Sequence, residues 1–173
     1  NIKIIYGGKT RAESSYNGLK SINKSKIKKV LIHDAARPNF SLKLLNKIVE
    51  TLKKNKSVIP VIKPKDTAKF KSRNLILNLN RNYLYLTQTP QGFDFKELYN
   101  LQNSKNFKAT DDANYLIKAN KKIKFINGEN ENEKITYKSD IVKNHNIKYG
   151  IGFDVHRLVP KRKLYLGGLR IKS

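Results

Sequence analysis

Two rhythms of apolar residues run along the chain. Val30-Leu31-Ile32 is a continuous apolar run with two β-branched residues, and it predicts a buried strand over 30–33. Pro38 cannot continue a central ladder, so that strand ends before it. Similar short runs predict strands over 1–6, 57–62 and 122–126, and Pro60 assigns the second of these to an edge or a bulge. The other rhythm is helical. Leu45, Ile48, Val49 and Leu52 fall at i, i+3, i+4 and i+7, and Ser41 caps a helix that runs to about Asn55. Further helices are predicted near 13–22, from Asp94 to about Gln102, and after Thr110-Asp111-Asp112, where a Thr cap and two acids suit a first turn.

Residues 74–80 alternate, with Leu75, Leu77 and Leu79 on one face. The Arg81-Asn82 pair then precedes Tyr83-Leu84-Tyr85-Leu86, which predicts a hairpin or a projecting arm. An apolar arm on a small domain calls for a partner to cover it, so a dimer is expected. Residues 87–93 read as a loop, 128–136 as an acidic, Asn-rich turn, and 139–146 as a polar connection. Strands alternating with helices predict an α/β fold, a mostly parallel sheet with helices on both faces.

Charge changes this picture less than its size suggests. The formal net charge is +24, which alone points to a polyanion partner. The excess is spread over the whole length, and 30 of the 37 basic residues are Lys. Lys, Asn and Ile share A/T-rich codons, so biased base composition explains the charge. Lys24-Ser25-Lys26-Ile27-Lys28-Lys29 lacks interleaved aromatics and reads as a solvated face; no specific nucleic-acid partner is expected. The absence of Cys removes disulfides, thiolate zinc sites and Cys nucleophiles. No apolar run approaches the ~20 residues of a membrane helix, so no membrane partner is expected.

Several short stretches carry candidate chemistry. His33-Asp34-Ala35-Ala36-Arg37 puts a carboxylate and a guanidinium past the carboxyl end of a strand, where open α/β sheets bind ligands. Gly7-Gly8 between a strand and a helix lets a backbone approach a ligand closely, and Ser14 caps that helix or touches the ligand. Asp111-Asp112 could bind a metal, although capping is the plainer role. Asp154 and His156 are two apart, so on a strand they share a face and can share a metal; Zn²⁺ fits mixed N and O ligands.

Taken in order, the motifs acquire a family. Gly7-Gly8 with Arg11-Ala12-Glu13-Ser14, Val30 to Pro38, Asp66-Thr67, Asn80-Arg81-Asn82, Thr89-Pro90-Gln91, Thr110-Asp111-Asp112-Ala113 and Asn132-Glu133-Lys134-Ile135-Thr136 resemble the 2-C-methyl-D-erythritol 4-phosphate cytidylyltransferase family over roughly residues 1–142. Tyr149-Gly150-Ile151-Gly152-Phe153-Asp154-Val155-His156-Arg157, with Leu166-Gly167-Gly168, resembles the start of the 2-C-methyl-D-erythritol 2,4-cyclodiphosphate synthase family. The two enzymes act in the same isoprenoid pathway and occur fused.

The resemblance implies a Rossmann-like three-layer nucleotidyltransferase sheet with a projecting β-arm, then the first strands of an α+β synthase domain. The expected divisions are 1–142, a linker at 143–148, and 149–173. The implied reaction transfers a cytidylyl group from CTP to 2-C-methyl-D-erythritol 4-phosphate and releases pyrophosphate; the synthase releases CMP. Lys134, Asp34 and Arg37 are the implied catalytic residues. Thr67, Arg81 and Thr89 fall at substrate positions, and Gly8, Ser14 and Ala35 at nucleotide positions. Mg²⁺ would ride on the triphosphate, and Asp154 with His156 would hold Zn²⁺ or another divalent metal. A dimer through the arm and a trimer through a complete synthase domain are implied, in the cytoplasm or a plastid-like stroma.

Departures from the pattern qualify this. The chain starts after the family's Gly-rich triphosphate loop and stops at Ser173, before the rest of the synthase site, so a fragment inactive by itself and weak in zinc is expected. Lys9 stands where the family is often acidic, and Ile151 where a His is frequent. A ribitol 5-phosphate cytidylyltransferase shares the His-Asp-Ala start, but the synthase-like tail argues against it. A basic nucleic-acid-binding module is the rival of another class.

Overall fold

The computed structural model describes residues 2–22, 26–103, 109–142, 164–166 and 169–171. The chain divides into two units, Asn1–Thr136 and Tyr137–Ser173. The first unit is built on a sheet of β1 (Lys29–Ile32), β2 (Ser57–Ile62), β5 (Leu86–Thr87), β6 (Gln91–Asp94) and β7 (Lys124–Asn127), with β3 (Lys69–Ser72) and β4 (Leu75–Asn78) in a separate hairpin. Its helices are α1 (Arg11–Lys20), α2 (Leu42–Lys54), α3 (Phe95–Gln102) and α4 (Ala113–Lys118).

β6 lies between β1 and β2 and is antiparallel to each; β2 also pairs antiparallel with β5 and parallel with β7. β1, β2 and β7 therefore share one direction, as a crossover pattern requires, but β5 and β6 are reversed, so three of the four ladders are antiparallel and the sheet is mixed rather than mostly parallel as expected. Residues 87–93 do not form the expected loop. Gln91-Gly92-Phe93 is a buried central strand, hidden in the sequence because only Phe93 in it is large and apolar. Gly92 is what α2 needs there: a Cβ would lie 3.0 Å from Ile48 and from Leu52, and 3.2 Å from Leu31.

The three-layer arrangement follows from alternation along β2. Val58 faces α2 and packs with Leu44, Ile48, Leu52 and Ile126. Ile59 faces the other way, with Leu19 of α1, Leu98 of α3, Leu116 of α4, and Phe93. The buried stripe of α2 is Leu44, Ile48 and Leu52, not the predicted Leu45 and Val49; Val49 is exposed. Pro60 sits in the central strand rather than at an edge. On the β5–β6 side the ladder is interrupted there, between the Val58–Gly92 and Val61–Thr87 pairs, so its missing N–H has no rung to break.

Three further expectations are corrected. Residues 2–6 form no strand: Ile2, Ile4 and Tyr6 are almost fully exposed, and β-propensity without a neighbouring ladder does not make a strand. The arm is a hairpin, but its strands are β3 and β4, turning at Arg73 with φ 45°. Residues Arg81–Tyr83 form a 3₁₀ turn instead, which Asn80 caps by accepting from Asn82 N, and Leu86 joins the main sheet. At α4 the Thr110 cap is replaced. Asp111 Oδ1 accepts from Asn114 N at 3.1 Å, while Asp112 turns inward. In the second unit, α5 (Lys138–Val142) and an antiparallel pair of β8 (Leu164–Leu166) with β9 (Leu169–Ile171) are described.

Candidate active site

The carboxyl ends of β1, β2 and β7 lie at one end of the sheet, where open α/β sheets place their ligands. After β1 the chain turns at Asp34–Arg37, closed by Arg37 N donating to Asp34 O at 2.9 Å, with Ala35 exposed on the turn. His33 braces the turn from behind. Its Nε2 pairs with Arg37 O at 2.9 Å, and because that carbonyl only accepts, Nε2 carries the proton. Nδ1 pairs with Thr89 Oγ1 at 3.0 Å, and Thr89 Oγ1 accepts from Asp34 N at 3.0 Å. Thr89, expected to touch substrate, is buried with its hydroxyl occupied in holding Asp34.

Asp34 is the centre of the site. Its Oδ1 accepts from Arg11 Nε at 3.0 Å and its Oδ2 stands 3.6 Å from Lys134 Nζ. Burial pushes the Asp34 carboxyl up, but Arg11, then Lys134 and Arg37, outweigh it and hold the group below its ordinary value. Burial brings the Arg37 guanidinium down, with Asp34 only partly offsetting it. Its fork is engaged by the protein: Nη1 donates to Asn132 O at 2.7 Å and Nη2 reaches Thr87 O at 3.5 Å.

The loop after β7 brings in Lys134, and a frame of buried amides fixes it. Gln88 Nε2 donates to Glu129 O at 2.7 Å, and Gln88 Oε1 accepts from Glu129 N at 3.0 Å. Asn132 Nδ2 donates to Thr89 O at 2.8 Å, and Ile135 N donates to Ala36 O at 2.8 Å. Glu129 also accepts from Ser41 N and Oγ, tying the loop to the start of α2. Lys134 itself stays half-exposed. Beside it opens a cavity of about 400 Å³ lined by Arg37, Lys63, Lys65, Asp66, Glu133 and Lys134, among others. Its walls carry more positive than negative charge, which suits an anionic substrate.

Gly8 and Ser14 come together at the start of α1. Ser14 Oγ accepts from Gly8 N at 2.9 Å and donates to Thr10 O at 2.9 Å, so the helix cap is Thr10 rather than Ser14. A Cβ on Gly8 would collide with Glu13. Thr67 and Arg81 are exposed and line no part of the cavity. Asp154 and His156 lie outside the described residues. Among the described residues no three His, Asp or Glu side chains gather to hold a metal. No described helix is long and apolar enough to cross a membrane.

Sequence reading missed Arg11 and Asp112 as partners of the site. Arg11 stands in a quoted motif, but nothing local says that it joins a carboxylate 101 positions away.

The description of the 2-C-methyl-D-erythritol 4-phosphate cytidylyltransferase family (IspD) matches residues 1–148. The bifunctional enzyme IspD/IspF of Pelagibacter ubique is 61% identical over 173 residues, covering 100% of this chain and 47% of the relative. The chain thus spans about half the length of the curated bifunctional relatives it matches. A solved 4-diphosphocytidyl-2C-methyl-D-erythritol synthase from Anaerococcus prevotii superposes with a TM-score of 0.76 at 38% identity, covering 83% of this chain and 66% of that one. The bifunctional IspDF of Campylobacter jejuni gives a TM-score of 0.76 at 33% identity over 99% of this chain and 46% of its own.

Proposed function

Because the chain belongs to the 2-C-methyl-D-erythritol 4-phosphate cytidylyltransferase family, we propose that the whole protein joins 2-C-methyl-D-erythritol 4-phosphate to the cytidylyl group of CTP. The observation that carries the reading is the Asp34–Lys134 pair beside a cationic cavity at the carboxyl ends of the strands. In the reaction a phosphate oxygen of the acceptor bonds to the α-phosphorus of CTP. The bond to the β-phosphate oxygen breaks, and pyrophosphate leaves with the electron pair. Transfer between two anions needs fixed positive charge at the equatorial oxygens.

Lys134 supplies that charge: its ammonium swings from Asp34 Oδ2 onto an α-phosphate oxygen. Asp34, ionised, accepts hydrogen bonds from hydroxyls of ribose or acceptor and keeps Lys134 near until substrate arrives. Arg37 holds the Lys134 loop through Asn132 O and adds a cation to the cavity wall. Gly8, Ser14 and Ala35 flank the nucleotide, and Thr89 orients Asp34. Mg²⁺ would ride mainly on the triphosphate oxygens, since it is seldom held by an all-protein cage, and would supply charge screening there.

The arm leaves Phe70, Leu75, Ile76 and Leu77 exposed. A second copy covers them, and in that dimer Thr67 and Arg81 reach the acceptor phosphate across the interface. Arg81 suits that task because its fork binds phosphate oxygens bidentately. The stretch 149–173 begins a cyclodiphosphate synthase domain, with Asp154 and His156 as zinc ligands and a trimer as its assembly.

A turnover assay of the whole protein tests this. CTP with 2-C-methyl-D-erythritol 4-phosphate should yield pyrophosphate, and ribitol 5-phosphate should not replace the acceptor. Equal turnover of both alcohol phosphates, or none of either, overturns the reading.

A further inference from the structure

Asp112 is fully buried, yet it sits at the start of a helix where an acid needs no burial at all. Its two oxygens are fully engaged. Oδ1 accepts from Ser15 Oγ and from Gln102 Nε2, each at 2.7 Å, and Oδ2 accepts from Arg11 Nη1 at 2.8 Å. α1, α3 and α4 each supply part of this arrangement. A buried ion pair gives little net stability, since desolvation offsets most of the attraction. What it does provide is a fixed direction for the guanidinium.

That direction leads to the site. The same guanidinium donates from Nε to Asp34 Oδ1 at 3.0 Å. One oxygen of Asp34 is thereby tied down, and the other faces Lys134 at 3.6 Å. We propose that Arg11, anchored by buried Asp112, is a positioning residue that locks the rotation of Asp34 and leaves a single carboxylate oxygen to work with Lys134. The assignment rests on the cytidylyltransferase reading for its catalytic consequence and on geometry alone for its structural one. Arg is required rather than any cation. Nε and Nη1 point to two different carboxylates from one rigid plane, and a Lys ammonium on a flexible stem cannot hold both in register. The electrostatics agree, since Arg11 is the leading attractive influence on Asp34.

Two measurements on Arg11→Lys and Arg11→Met test this, with Asp112→Asn as a third variant. The first is the ¹³C titration of the Asp34 carboxyl in the ligand-free chain, which needs no activity. The groups facing Asp34 are Arg11 from α1, Arg37 on its own turn and Lys134 from the loop after β7, with His33 and Thr89 behind its backbone. Arg11→Met should raise the Asp34 midpoint by about one pH unit or more, the effect of losing a cation at contact distance. Arg11→Lys should restore part of it. The second is steady-state kinetics of the whole protein. In both Arg11 variants kcat should fall about 10–100-fold, the cost of misplacing a reacting group by about 1 Å, with KM for CTP changed far less. An unmoved Asp34 midpoint in Arg11→Met overturns the proposal, and so does wild-type kcat in Arg11→Lys. A shifted midpoint in a protein that transfers no cytidylyl group would instead uphold the lock and overturn the functional reading. If Asp112→Asn does not fold, the two Arg11 variants carry the test.

Discussion

Asn132 Nδ2 donates to Thr89 O at 2.8 Å, so the loop that carries Lys134 is pinned to the segment that carries Asp34's support. Asn132 is completely buried, and its own carbonyl accepts from Arg37 and Gln88. Removing the side chain strands Thr89 O in the interior. Asn132→Ala should therefore destabilise the protein by about 1–3 kcal/mol, the usual cost of an unsatisfied buried acceptor. Urea unfolding measures it. A loss below about 0.5 kcal/mol would show that water replaces the amide without penalty.

Gly92 offers a test of the hidden central strand. It faces α2, and a Cβ there meets Ile48, Leu52 and Leu31 at 3.0–3.2 Å. These neighbours belong to a packed layer and have little room to give. Gly92→Ala should cost about 1–3 kcal/mol through overpacking, although alanine favours a strand no less than glycine does. If urea melts show a gain in stability, β6 does not lie under α2 as described.

Much of the fold was legible because its signals are local. The Val30-Leu31-Ile32 run sets β1, and the Ser41 cap sets where α2 begins. The predicted helix from Asp94 to about Gln102 is α3, with Asp94 as its cap, accepting from Glu97 N. What escaped is what depends on distant partners. β6 reads as a loop because burial by α2 on one face and by α1, α3 and α4 on the other, not its own hydrophobicity, makes it a strand. Residues 2–6 have the right residues for a strand and no ladder. The arm is out by one segment because Arg73, not Arg81, makes the turn, and Arg, unlike Gly or Asn, gives no signal of a positive φ. In the site, Asp34 and Lys134 came from motifs, and the fold brings them within 3.6 Å of each other. Arg11 and Asp112 also stand in motifs, but their pairing was not legible, since a guanidinium shared with a carboxylate 101 positions away leaves no periodic trace.

The state of Asp34 gives stability a sign with pH. Its carboxyl is held below the ordinary value, so the folded state releases its proton more readily than the unfolded chain. The resulting stabilisation is complete above the unfolded carboxylate's pKa of about 4 and is lost as pH falls through the lower folded value. Asp34→Asn, which mimics the protonated acid, should be less stable than wild type at pH 7. The difference should shrink below about pH 4. Urea unfolding at pH 7 and pH 3 checks it, and a gap equal at both would mean that Asp34 contributes by shape and not by charge.

Lys134 is the sharpest test of the chemistry. It is half-exposed, and its one ion-pair partner among the described residues is Asp34, at 3.6 Å and without a tight hydrogen bond. Such a loose pair between partly solvated groups adds little to stability. The frame around it is much tighter than the pair itself: Gln88 and Arg37 donate to the loop backbone, and the Asn132 side chain ties the loop to Thr89 O. A loop fixed this firmly around a loosely held ammonium fits a cation kept for an incoming anion. Lys134→Ala should leave the urea midpoint almost unchanged while lowering kcat of the whole protein by about 10²–10³-fold, as loss of a preorganised charge stabiliser does. Lys134→Arg should recover only part of the rate, because a planar guanidinium places its charge differently from a compact ammonium. Near-normal turnover in Lys134→Ala would move the transition-state charge to another cation on the cavity wall, with Lys63 and Lys65 the first to examine.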